Sequence, residues 1–187
     1  MERLFITTIL ICSCLIGPSL LAQTAESEQP EFPKLDMSPM DIATATTEDG
    51  ETVARVLYGR PQMRGREVFG KLVPYGEVWR TGANEASELT LYRDMIVGGE
   101  TIEAGSYSFY TIPEENQWTI ILNKSINTWG AYDYHVENDR VRIKVPVRRL
   151  EHQLETLSML FETSEDSVTL KLGWDDRFVQ VPFRYAD

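Results

Sequence analysis

Short runs in which hydrophobic and polar residues alternate dominate the chain from about residue 40 onward. The segments "VRIKVPV" at 141–147, "VTLKLGW" at 168–174 and "VQVPF" at 179–183 each place β-branched, leucine or aromatic residues at every second position. A period of two with these residue types is typical of strands that bury one face. The pattern therefore predicts strands in all three segments.

Clusters of turn-forming residues separate these runs. Glu48-Asp49-Gly50 is predicted to join strands at 40–47 and 51–58, and Gly98-Gly99 to join strands at 89–97 and 100–112. Asp175-Asp176 is predicted to be the turn that begins the last hairpin.

The segment at 150–162 fits two patterns. Leucines at 150, 154 and 157 have a helical spacing, whereas Leu157, Met159 and Phe161 alternate as in a strand. We interpret the segment as a strand. About ten short strands without a convincing helix then predict an all-β fold, an antiparallel β-sandwich or jelly-roll-like domain.

The first 38 residues differ in composition from the remainder. Arg3, the apolar run after it and the small residue Ala22 predict a signal peptide over 1–22. Lipidation at Cys14 is a weaker alternative, because the hydrophobic "LIGPSLLA" follows that cysteine. The polar, proline-containing segment 23–38 is predicted to be a flexible linker, and 39–187 a single domain.

This organisation predicts an exported protein, periplasmic or extracellular, with no membrane span in the mature chain. Both cysteines, Cys12 and Cys14, lie in the predicted signal peptide, so the domain has no thiol nucleophile or disulfide. The net charge of −11 argues against nonspecific binding to nucleic acid.

A basic segment interrupts this acidic composition. From Arg55 to Arg80 the chain has six basic and two acidic residues, a local net charge of +4. Arginine side chains bind carboxylate, sulfate or phosphate through two parallel hydrogen bonds, so Arg60, Arg66 and Arg80 are candidate anion ligands. The alternative is that these arginines pair with carboxylates elsewhere in the chain.

The block "EVWRTGANE" at 77–85 follows within the same segment. Trp79 is predicted to point into the core, with Glu77 or Asn84 accepting a hydrogen bond from its indole N–H. Glu77 and Glu85 are weak candidates for a general base, with Arg80 stabilising a developing negative charge. That arrangement would suit a hydrolase.

A second candidate region is the long segment 123–139. Trp129 and Tyr134 could stack on a sugar ring or another flat ligand, and Asn123 could orient it; alternatively the segment folds back to cap the sandwich. The two histidines, His135 and His152, lack metal-ligand spacing. We predict no metal site and no cofactor.

Several segments together resemble a family of exported bacterial domains known as domain of unknown function 2911. They are "YGRP", "RGREVFGKLVPYGEVWRTGANEA", "AGSYSFYTIP", "WTIILNK" and "WGAYDYHVENDRVRI", and the resemblance extends from about Ser38 to Phe183. It implies an all-β exported domain but no activity. Two departures from the family pattern are Met63-Arg64 and Gly59, the latter at a position where the family has serine.

The positions that the resemblance singles out are Arg60, Gly65, Arg66, Gly70, Pro74, Tyr75, Gly76, Trp79, Arg80, Gly82, Asn84, Glu85, Asn123, Lys124, Trp129, Gly130, Tyr134 and Asp139.

The sequence thus favours a binding module for a small polar or anionic ligand or a glycan. Arginines 60, 66 and 80 would bind charge, Trp79, Trp129 and Tyr134 would stack, and Asn84 and Asn123 would orient the ligand. Two alternatives stay open, a structural or interaction domain without a small-molecule site and the hydrolase. The oligomeric state is not predicted.

Overall fold

A computed structural model describes residues 29–186. The predicted signal peptide and Cys14 lie outside the described residues, as does the first part of the predicted linker. Residues 29–39 contain no helix or strand, and the compact unit begins at Leu35. Within residues 29–186 no helix has the length and apolar character needed to cross a membrane.

The domain consists of ten strands and one short 3-10 turn. The strands are β1 (Met40–Thr46), β2 (Thr52–Gly59), β3 (Ser87–Leu91), β4 (Met95–Val97), β5 (Glu100–Ile102), β6 (Gly105–Pro113), β7 (Gln117–Asn123), β8 (Asp139–Pro146), β9 (Arg148–Thr163) and β10 (Ser167–Tyr185). The 3-10 turn is Val136–Asn138. The predicted all-β class is confirmed, and so is the strand at 150–162, which lies within β9.

The strands form two antiparallel sheets that make a sandwich. One has the order β1-β2-β3-β6-β7-β8 and the other the order β5-β4-β10-β9. The predicted alternation sets the buried face: Val168, Leu170, Leu172 and Trp174 of β10 are each at most 1% exposed. Burial of such side chains stabilises the fold by about 1.5–3 kcal/mol each.

Two predicted strands are each divided in the structure. The segment 89–97 forms the end of β3 and all of β4, and the segment 100–112 forms β5 and most of β6. The division occurs because the chain passes from one sheet to the other at both points. Asp94 stabilises these crossings, since its carboxylate accepts a hydrogen bond from the Ala104 N–H at 2.8 Å. The Gly98-Gly99 turn between β4 and β5 is confirmed.

The predicted turn at Asp175-Asp176 is wrong. Both residues lie inside β10, where the pairing with β9 shifts register on each side of Asp175. Asp175 has φ of 56°, a conformation that aspartate tolerates better than most residues. The strand therefore bulges and continues. The hairpin turn lies earlier, between Thr163 and Ser167.

We predict that Gly98→Ala destabilises the domain more than Gly99→Ala. Both glycines have positive φ, which costs a residue with a Cβ about 1–2 kcal/mol. A Cβ at Gly98 would lie 2.3 Å from Cγ2 of Ile143 in the opposite sheet, whereas a Cβ at Gly99 meets open space. The crowding should add about 1–3 kcal/mol.

Urea denaturation of both variants measures the difference. Equal losses of unfolding free energy would show that the two sheets do not meet closely at this turn.

Candidate functional site

The segment 60–86, which we call the β2–β3 loop, connects β2 to β3 and pairs with other parts of the chain only through isolated bridges. Isolated bridges attach it to three places: Gln62 pairs with Thr156, Trp79 with Thr111, and Glu85 with Trp129. At Trp79 the backbone N–H donates to the Thr111 carbonyl at 2.7 Å, and the Thr111 N–H donates back at 3.0 Å. The loop is therefore anchored to β9, β6 and the β7–β8 loop (residues 124–138).

An aromatic cluster of Phe69, Trp79, Trp118 and Trp174 holds this loop against the core. The Trp79 ring stacks on Trp174 at 6.0 Å with 19° between planes and meets Trp118 edge-on at 6.3 Å. Trp79 is half-buried, as expected for a side chain that packs on the core. Its indole N–H donates to the Gly82 carbonyl at 3.2 Å, so the predicted partners Glu77 and Asn84 are wrong.

Arg177, a residue of β10 next to the bulge, contacts the same loop. Its guanidinium lies 5.6 Å from the ring centres of both Phe69 and Tyr75, within range of cation–π attraction. It also hydrogen-bonds the Tyr75 hydroxyl. The guanidinium of Arg177, two residues after the bulge at Asp175, thus contacts two aromatic rings of the loop.

The outer side of the loop forms a cavity of about 410 Å³, which we call the first cavity. It is lined by Ser38, Pro61, Arg66, Leu72, Val73, Pro74, Glu77, Val78, Trp79, Arg80, Gly82, Ala83, Asn84 and Trp174. Five of the candidate residues, Arg66, Glu77, Trp79, Arg80 and Asn84, are thereby brought together.

Arg80 and Arg66 differ in how the protein uses them. Arg66 donates to the carbonyls of Met63 and Gln62 at 2.9 and 2.7 Å. Arg80 is half-buried, and its Nε is buried without a hydrogen-bond partner among the described residues. No salt bridge joins Arg80 to a carboxylate within residues 29–186. The Arg80 guanidinium therefore has no carboxylate partner within these residues.

A second cavity of about 310 Å³ adjoins the first. It is lined by Asp36, Ser38, Met40, Gly59, Asn84, Glu85 and Trp129, so it shares Ser38 and Asn84 with the first cavity. At this junction the side-chain amide of Asn84 donates to Asp36 at 3.2 Å. Glu85 and Trp129 thus lie beside the first cavity and do not line it.

These residues all lie within or next to the segment 38–183, which matches the family model described as protein of unknown function (DUF2911). The chain belongs to this family. Searches of curated proteins and of solved structures find no match. The predicted family is confirmed, and it assigns no activity to the cavity of this DUF2911 domain.

Arg60 lies outside both cavities. Its Nε donates to the Leu157 carbonyl at 3.0 Å, and its two terminal nitrogens reach Asp41 at 2.9 Å and Ser158 at 3.0 Å. All three guanidinium nitrogens are therefore used to join β1, β9 and the start of the loop. A role for Arg60 in ligand binding stays a prediction.

Asn123 and Tyr134 also lie away from the first cavity, at the base of the β7–β8 loop. The Asn123 amide donates to the His135 carbonyl at 3.0 Å and to Asp139 at 2.8 Å, and its oxygen accepts from the Ser125 N–H at 2.9 Å. The Tyr134 hydroxyl donates to Asp139 at 2.6 Å. In the DUF2911 domain these contacts close the loop, and a ligand-binding role for either residue stays a prediction.

The sequence did not indicate three residues that line the cavities. Trp174 was expected only as a core residue of β10, yet it also lines the first cavity. Asp36 and Ser38 belong to the predicted linker, and no periodic pattern marks them. No group of three or more His, Cys, Asp or Glu side chains within residues 29–186 is arranged to hold a metal ion.

We predict that Asn123→Ala lowers the free energy of unfolding by about 1–3 kcal/mol, because it leaves buried polar groups without partners. Chemical denaturation measures the loss. Lys124→Ala, at the exposed neighbouring position, is the matched control and should change stability little. Equal effects of the two substitutions would contradict a structural role for Asn123.

We also predict that Tyr134→Phe makes stability less sensitive to alkaline pH. Burial, and then the hydrogen bond to Asp139, raise the pKa of Tyr134 above its usual value. The unfolded chain loses this proton near pH 10, while the folded protein retains it. The stabilisation is therefore complete below about pH 10 and is lost as pH rises toward the folded-state pKa.

Unfolding free energies measured from about pH 9 to pH 11 should decline less steeply in Tyr134→Phe than in the unsubstituted protein. Some decline remains, because burial also raises the pKa of Tyr58, Tyr107 and Tyr185. Tyr132→Phe, at an exposed tyrosine of the same loop, is the control. A slope unchanged by Tyr134→Phe would refute the assignment.

Proposed function

We propose that this domain is an exported binding protein for a small ligand that carries a carboxylate, held in the first cavity. The observation that carries the proposal is that Arg80 lines that cavity without a carboxylate partner in residues 29–186, and that its buried Nε has no hydrogen-bond partner there. A volume of about 410 Å³ lies within the roughly 300–1,000 Å³ typical of small-molecule sites.

The physical reason is the cost of a desolvated guanidinium. A partly buried cation that lacks a partner loses hydration without compensation, and a bidentate carboxylate would restore two charge-assisted hydrogen bonds. Arg60 differs from Arg80, because its three guanidinium nitrogens are all bonded to protein groups. Arg55 and Arg177 also have a buried Nε without a hydrogen-bond partner among residues 29–186, but neither lines the cavity.

The other walls favour a particular kind of carboxylate. Trp79 presents apolar ring surface, and Glu77 adds an acceptor on the same cavity. A ligand with a flat apolar face and a hydroxyl group near its carboxylate would satisfy both. Hydroxy acids and uronic acids have this chemistry.

The alternative functions have less support. Of the two candidate general bases of the hydrolase, Glu77 lines the first cavity together with Arg80, whereas Glu85 lines the second cavity. Trp79, Arg80 and Asn84 are half-buried and border open cavities, whereas a purely structural loop would bury them completely.

The test is isothermal titration of the purified protein with glucuronate, using glucose as the uncharged control of the same ring shape. We expect binding of glucuronate only. Arg80→Met retains much of the side chain's apolar length but removes the charge and donors. It should weaken binding about 10–100-fold, because hydrogen bonds to charged groups contribute about 1.5–3 kcal/mol.

Arg64→Met is the matched control, since Arg64 is an exposed arginine of the same loop outside the first cavity. It should bind glucuronate as the unsubstituted protein does. Equal losses of glucuronate affinity in both variants would show that Arg80→Met acts only through a nonspecific change in net charge. The absence of glucuronate binding would refute the proposal.

A further inference from the structure

The two cavities continue into a third, of about 200 Å³, so that three cavities lie in a row. The third cavity shares Met40, Gly59 and Glu85 with the second and no lining residue with the first. The row therefore runs from the β2–β3 loop past the junction at Asn84 to the edge where β2 ends and β3 begins. Its far end is bordered by Glu88 and Asn127.

The charge of the lining residues changes along this row. The first cavity contains two arginines and one glutamate, whereas the charged residues of the other two cavities are all acidic: Asp36 and Glu85 in the second, Glu85 and Glu88 in the third. A ligand with negative charges along its whole length would be repelled at the far end. A ligand with one terminal anionic group followed by neutral hydroxyl groups matches the change, because carboxylates accept hydrogen bonds from hydroxyls.

Trp129 adds a stacking surface in the middle of the row. It is 59% exposed, which is unusual for so large an apolar ring, and it lines the second cavity. Its backbone is nevertheless fixed: it pairs with Glu85, and the flanking hydrogen bonds Ala86 N–H to Thr128 and Gly130 N–H to Asn84 measure 3.0 and 3.1 Å. An exposed ring on a fixed backbone presents a flat surface at little entropic cost.

Backbone pairing around Trp129 argues against an extended peptide as the occupant. A peptide that adds to a sheet needs free backbone donors and acceptors along its length. Here the backbone groups of Asn84, Ala86 and Thr128 already bond to each other's segments. A sugar ring needs only the ring face and side-chain hydrogen-bonding groups.

We infer that the three cavities form one groove for an acidic oligosaccharide with a single terminal uronic acid. The uronate binds at Arg80, the next sugar ring stacks on Trp129, and its hydroxyls donate to Glu85. This inference rests on the function proposed above for the first cavity and adds the length and charge pattern of the ligand.

The test compares three probes by isothermal titration with the purified protein. They are glucuronic acid, an aldotriouronic acid made of one glucuronic acid and two xylose residues, and neutral xylotriose. We expect the aldotriouronic acid to bind about tenfold more tightly than glucuronic acid, a difference of about 1.4 kcal/mol. Xylotriose should bind most weakly of the three.

Trp129→Ala should abolish the advantage of the longer acid while leaving glucuronic acid binding unchanged. Tyr92→Ala is the matched control, because Tyr92 is 47% exposed and lines none of the three cavities. Arg80→Met should weaken both acids. This pattern separates the two parts of the groove.

Equal affinities for the two acids, or an advantage that survives Trp129→Ala, would overturn the extended groove and leave the carboxylate site of the first cavity intact. Triglutamate is titrated as an additional peptide control, and tighter binding of triglutamate than of the aldotriouronic acid would overturn the saccharide assignment in favour of a peptide. Failure of both acids to bind would refute the proposed function and this inference with it.

Discussion

The packing of Trp79 between Trp118 and Trp174 is the contact on which the candidate site depends. Trp118 belongs to β7 of one sheet and Trp174 to β10 of the other, so a single side chain of the β2–β3 loop contacts both halves of the sandwich. Each aromatic pair adds about 0.5–1.5 kcal/mol beyond the burial of its surface. The β2–β3 loop, which contributes no strand to either sheet, is thereby held in a fixed position.

That fixed position has a direct consequence for charge. Arg80 follows Trp79 in the chain. The packing of the Trp79 ring on the core therefore also fixes the backbone from which the Arg80 guanidinium extends. The nearby arginines are bonded to protein groups: Arg60 to Asp41 and Ser158, and Arg66 to backbone carbonyls. Of these three arginines, Arg80 lines the first cavity and has neither a carboxylate nor a backbone carbonyl bonded to its guanidinium within residues 29–186, and this makes it the centre of the proposed function.

The second loop completes the arrangement from the opposite side. Asn123, Asp139 and Tyr134 close the base of the β7–β8 loop, and the pairing of Glu85 with Trp129 joins its tip to the β2–β3 loop. The polar side chains of these residues form hydrogen bonds at the base of the loop, whereas the indole ring of Trp129 is exposed at its tip. Residues only a few positions apart thus differ in role: Asn123 and Tyr134 stabilise the base of the loop, and Trp129 presents an exposed ring.

The alternating pattern predicted most strands, because a period of two survives wherever one face of a strand is buried. It failed where the chain changes sheets, at Arg93-Asp94 and Glu103-Ala104, because one or two polar residues there did not distinguish a crossing from a continuous strand. It also failed at the bulge of Asp175, because two aspartates typical of a turn lie inside a continuous strand. The residue types of the site could also be predicted: of the arginine, tryptophan and asparagine candidates in the 60–86 segment, Arg66, Trp79, Arg80 and Asn84 line the first cavity.

What the sequence by itself determined is the all-β class, the family and the set of candidate side chains, because these follow from local composition and pattern. Only the tertiary structure decided which candidates meet. It separated Arg80 from the bonded Arg60, placed Glu77 and Glu85 in different cavities, and brought Trp174 and Asp36 to the site from distant parts of the chain. The reason is physical: whether a charged side chain is paired or free depends on neighbours that only long-range packing supplies.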